Sequence, residues 1–153
     1  MRRIYLLAIA IAIVLFLIIS GLLARVFSAN SAEQAAITGL IRAEARGDAS
    51  GVLNDLLDCR TSPSCRQQAT TNATVLRHPG AVSIAQLTPS TSFSLAGEEG
   101  TARVAWIVGG SKPITQCVRV RRTGNVLSGL RVELLAVTPK LPADANCPTP
   151  ARF

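Results

Sequence analysis

The chain has 153 residues, room for one domain and a tether but not for two ordinary domains. Sixteen Lys and Arg against nine Asp and Glu give a formal charge of +7, and only Arg2 and Arg3 of the basic residues precede Arg25. Tyr5, Trp106 and His78 each stand alone in their residue type, which removes most of the side chains that acid–base and nucleophilic catalysis draw on.

Residues 4–24, IYLLAIAIAIVLFLIISGLLA, carry no charge. As a helix rising about 1.5 Å per residue they reach roughly the 30 Å of a bilayer core, so the sequence predicts a membrane-spanning helix there. Arg2 and Arg3 before the run outnumber Arg25 just after it. That bias puts residues 1–3 in the cytoplasm and the rest outside, a single-pass protein of the cell membrane. The alternative is a secretory signal cleaved near Ala29-Asn30-Ser31, giving a secreted domain, although the apolar core of such signals is usually only about 7–15 residues.

Beyond the run, Ser31-Ala32-Glu33-Gln34 reads as a capping box with Ser31 as N-cap. Ile37, Leu40 and Ile41 share one helical face, and Arg42, Glu44 and Arg46 are expected to point elsewhere. Gly47 ends this helix, Asp48 caps the next, and Val52, Leu53, Leu56 and Leu57 form its stripe. A third helix is predicted from Pro63 with Ser62 as N-cap, and RHPG at residues 77–80 ends it. Asn72-Ala73-Thr74 matches a glycosylation sequon, weakly, because it falls within this predicted helix.

From Val82 the period changes to two. Strands are predicted at about 82–95, 101–109, 114–122 and 126–138, joined by GEEG, GGSKP and TGN. Links this short imply an antiparallel meander. Val104, Trp106 and Val108 share a face, as do Val118 and Val120, and Leu130, Val132 and Leu134. A three-residue loop over Thr123–Asn125, or a bulge near Gly129, would set Val118 opposite Leu130 and keep the apolar faces together. Arg103, Arg119, Arg121 and Arg131 then point away from the helix-covered core, with Ala105, Ile107, Leu135 and Val137 among them. The segment after Pro139 is Pro-rich and irregular.

The predicted architecture is therefore α+β: an N-terminal transmembrane helix, then three helices packed on a curved four-stranded antiparallel meander. This order, with IRAEARGDASGVLNDLL at residues 41–57 as its local text, resembles the nuclear transport factor 2-like (cystatin-like) fold. With an anchor ahead of it, the chain is similar to Mce-associated membrane proteins of actinobacteria and to scaffold subunits of conjugation machines. The resemblance implies a domain over 30–138, a Pro-rich tail over 139–153, and assembly rather than chemistry. Only CRTSPSC, residues 59–65, stands where many members insert a strand pair.

Cys59, Cys65, Cys117 and Cys147 all follow the apolar run. Outside the cytosol an even number of cysteines reads as disulfides, with three pairings open. Cys59–Cys65 would be local, and Cys117–Cys147 would then pin the tail to the outer sheet face. Their spacing lacks the tight knuckles of a zinc site, so no metal is expected. No nucleophile–base pair is visible, His78 lies in a turn, and Asp55 and Asp58 at the end of the second helix read as capping or solvated; no enzyme and no cofactor are expected.

Nucleic acid is not an expected partner, because residues 117–152 hold no aromatic platform. The favoured partner is a protein of an envelope complex, or a second copy, meeting Arg103, Arg119, Arg121 and Arg131. Anionic lipid or an acidic envelope polymer suits the same charges. The alternative is a cone-shaped pocket for a small ligand or lipid, lined by Leu40, Leu53, Leu56 and Trp106.

Overall fold

A computed structural model describes residues 2–89, 99–125 and 129–149, without the side chains of 2–4, 6–8, 22–29, 124–125 and 129–130. The extension of the first strand to 95, the first half of the GEEG link, the start of the fourth strand at Val126 and the end of the tail lie outside the described residues. No proline occurs before Pro63, and one helix, α1, runs from Arg2–Arg46. Ser31 therefore stands inside a helix and not at its N-cap, correcting the expected capping box. Among the described residues no helix is long and apolar enough to cross a membrane, which overturns the expected transmembrane helix over 4–24.

Gly47 ends α1 with φ +74°, and a Cβ there would lie 2.8 Å from Arg77 Cδ, so both backbone and space select glycine. Helix α2 (Ala49–Asp55) follows, its N-cap Asp48 accepting from Gly51 N–H. Leu56 leaves the helix in extended conformation and forms an isolated parallel bridge with Leu134. A single 3-10 turn at Asp58–Arg60 leads to α3 (Pro63–Val75), where Ser62 caps and Pro63 takes the first turn as the sequence predicts.

The strands are β1 (Val82–Thr88), β2 (Glu99–Val108), β3 (Ile114–Asn125) and β4 (Gly129–Val137). They form one antiparallel sheet in the order β1-β2-β3-β4, the expected meander. Gly109 and Gly110, both at positive φ, turn β2 toward β3. Burial alternates along β2, with Ala102, Val104, Trp106 and Val108 inward. These pack with Ile37, Leu40 and Ile41 of α1, Val52 of α2, Leu56, and Val118 and Val120 of β3 in one core.

The β3–β4 register corrects two expectations. Val118 pairs with Val137, not Leu130, because the strands extend to an Asn125–Gly129 pair; the intervening 126–128 lie outside the described residues. The register shift falls between Arg119 and Val120, not near Gly129. Opposite it β4 holds one extra residue, Leu135, since Arg119 pairs with Ala136 and Val120 with Leu134. That bulge flips the alternation, so Val137 turns into the core and not outward. Leu135 is fully buried as well.

Candidate functional site

Two clusters of polar side chains stand out. The first lies beneath α1. Glu44 continues the stripe of Ile37, Leu40 and Ile41 and is fully buried, correcting the expectation that it points elsewhere. Asn72 of α3 donates from Nδ2 to Glu44 Oε1 at 3.0 Å and to the Thr138 carbonyl at 2.9 Å, and its Oδ1 accepts from Gln68 Nε2 at 2.7 Å. Trp106 Nε1 donates to Gln116 Oε1 at 2.8 Å, and Gln116 Nε2 donates to the same Thr138 carbonyl at 3.1 Å. Burial pushes the Glu44 carboxyl from 4.5 up to about 7, with Gln116 and Asn72 offsetting only part of the effect. Asn72 is 3% exposed, so the sequon asparagine is held inside the network.

The second cluster occupies the outer sheet face and the β4 edge. Arg119 pairs with Asp58, which is delivered by the turn after α2. Arg121 donates to Glu99 Oε1 at 2.6 and 3.0 Å and lies 4.0 Å from Glu133. Arg103 donates to the carbonyls of Ala143 and Ala145 in the tail. Arg131 is exposed. Three of the four arginines expected to meet a partner are thus held by groups of their own chain. Arg122, in phase with Val118 and Val120, turns the other way and pairs with fully buried Glu33 of α1, Nε to Oε2 at 2.9 Å.

The disulfides are Cys59–Cys65 and Cys117–Cys147. The first ties the 3-10 turn to α3. The second holds the tail against the outer face beside Arg103, whose strand partner is Cys117. With all four thiols oxidised, the zinc alternative has no ligands, and among the described residues no cluster of His, Cys, Asp and Glu could hold a metal.

The four residues proposed for a pocket are packed instead. Leu40, Leu56 and Trp106 have no exposed surface, and Leu53 packs against their cluster. A cleft of about 330 Å³ lies elsewhere, between the turn before α3 and the end of β4. Asp58, Ser62, Ser64, Gln68, Arg119 and Thr138 are among its lining residues. A shallower one of about 430 Å³ runs between α1 and β4 past Asp55. Desolvation, then the charge of Asp48, raises the Asp55 carboxyl above its ordinary value. His78 is exposed, with Nδ1 3.0 Å from the Leu76 carbonyl.

The buried polar network is what sequence reasoning missed. Its signal was present, because Glu33, Ile37, Leu40, Ile41 and Glu44 fall at helical spacing on one stripe. Compared with known proteins, the chain matches no family model, no curated protein and no solved structure.

Proposed function

We propose that this chain is a non-enzymatic interaction domain that works outside the reducing cytosol and contributes to the assembly of an envelope complex. The filling of the helix-covered side supports this reading best. Where a ligand-binding cone would be hollow, Leu40, Leu56 and Trp106 are closed into a single core. The two disulfides favour an oxidising compartment, reached as a secreted or otherwise exported domain. Three helical segments followed by a meander accord with a nuclear transport factor 2-like kinship, which we carry as part of the proposal.

The partner surface we favour is the part of the outer face beside exposed Arg131, with Arg121 at its margin. Arg119 and Arg103 serve the protein's own fold there and are poor choices for recognition. Charge reversal at Arg131 together with Arg121 should weaken crosslinking of the full chain to its envelope partners while its melting temperature changes little. Undiminished crosslinking of every partner would remove the sheet face from the reading.

A further inference from the structure

Thr138 is the point where sheet, helices and tail meet. Its N–H donates to the Cys117 carbonyl and its Oγ1 accepts from Cys117 N–H, both at 2.9 Å. Its carbonyl accepts from Asn72 and Gln116, and Pro139, which has no N–H, begins the departing tail. One Asn72 amide group is shared between Thr138 and Glu44, so the carboxyl and the root of the tail are two bonds apart. Among the described residues Glu44 Oε2 has no hydrogen-bond partner. We propose that Glu44, Asn72, Gln116 and Thr138 form a proton-operated latch: with Glu44 protonated the junction of α1, α3 and the tail root is closed, and loss of that proton loosens it.

The surroundings of Glu44 make ionisation costly. Neutral groups face it, Asn72 from α3 and Gln116 from β3, with Trp106 of β2 beyond Gln116. Charged and titratable residues of the same elements are engaged or exposed elsewhere. On α1, Arg42 and Arg46 are exposed and Glu33 meets Arg122. On α3 Arg66 is exposed, and after it Arg77 lies along Gly47 and His78 faces the Leu76 carbonyl. Arg119 and Arg121 of β3 meet Asp58 and Glu99, Glu133 of β4 lies near Arg121, and Arg103 of β2 meets the tail.

Among the described residues a carboxylate at Glu44 has two amides, those of Asn72 and Gln116, to stabilise it. Its relief is access to water, and Gln68 and Thr138, each one hydrogen bond from Asn72, line the 330 Å³ cleft. With the carboxyl pushed up to about 7, the latch turns over around neutrality. The consequence is a wetter cleft and a freer tail root on the alkaline side, in the cleft that the Asp58–Arg119 pair also lines.

The test is a carbon-detected NMR titration of the Glu44 carboxyl in the oxidised full chain, followed in parallel by Trp106 emission and amide exchange at Cys117 and Thr138. The expected result is a Glu44 midpoint near 7, a Trp106 shift at the same midpoint, and intrinsic-rate-corrected exchange at both amides roughly tenfold faster above it. Glu44→Gln should abolish the Trp106 step and hold exchange slow. A midpoint in the ordinary carboxylate range would overturn the latch, and so would a Glu44 titration that left Trp106 and both amides unmoved. The wild-type measurements decide the matter even if the variant does not fold.

Discussion

Glu33 and Glu44 lie about three turns apart on α1, and neither has exposed surface. The core-facing side of β3 answers them differently. Near its far end it offers Arg122, whose guanidinium meets Glu33 and also donates to Asn30 Oδ1 at 3.2 Å. Near its start it offers Gln116, and among the described residues Glu44 meets only neutral amides. The first site is a fixed ion pair joining helix to sheet. The second is a carboxyl whose charge state the solution can set. One stripe of one helix thus carries both a permanent tie and a variable one, and the difference lies in the residue placed opposite.

The sharpest way to break the comparison is to take away the counter-charge at the first site. Arg122→Met should take the Arg122 counter-charge from a fully buried carboxylate and cost about 3–5 kcal/mol in urea unfolding. The double change Glu33→Gln with Arg122→Met should recover most of that loss, because the penalty belongs to the orphaned charge and not to the pair. A single-variant cost below about 1 kcal/mol would mean that Glu33 reaches water.

At the second site the tail root can be freed without touching Glu44. Replacing Cys117 and Cys147 by serine opens a loop with a sequence separation of 30 and should cost about 3.5 kcal/mol by loop-closure entropy. Opening Cys59–Cys65, separated by 6, should cost nearer 2 kcal/mol. Equal losses would mean that the tail contributes little order of its own.

The third effect depends on pH. Folded Glu44 holds its proton more tightly than the unfolded chain does, so its contribution is complete below about 4.5 and is lost as pH rises through about 7. At about 1.4 kcal/mol per unit this amounts to roughly 3–4 kcal/mol, an upper figure because some water penetrates. Glu44→Gln should flatten that slope in denaturation series across the window, whereas Glu33→Gln with Arg122→Met should leave it in place.

Much of the fold was legible because local rules agreed with one another. Gly47-Asp48 and Ser62-Pro63 mark helix ends through backbone chemistry that packing does not override, and the period-two text of β2 fixes its faces. The capping box failed because a Ser-x-x-Gln pattern also fits inside an uninterrupted helix, where nothing stops the preceding turns. Register failed because a bulge at Leu135 has no local signature; it is set by pairing across strands. The outward arginines were found on the right face, but their partners Asp58 and Glu99, and the tail carbonyls, are distant in sequence. Glu44 occupies a stripe position, but a charged side chain there does not read as core.

The exit from α2 has one more consequence. Leu57 N–H donates to the Leu134 carbonyl at 2.8 Å, so the chain's own turn is laid against the free side of β4. An incoming strand would find that side obstructed at its middle, and the Cys59–Cys65 bond two residues further on keeps the obstruction from swinging away. Growth of the sheet by a neighbour's backbone, whether in orderly assembly or in aggregation, is thereby directed to the opposite margin, β1, whose seven residues end just before Pro89. Reducing agents would unlock the guarded side, and a preparation handled under reduction should polymerise by a route that the oxidised protein denies.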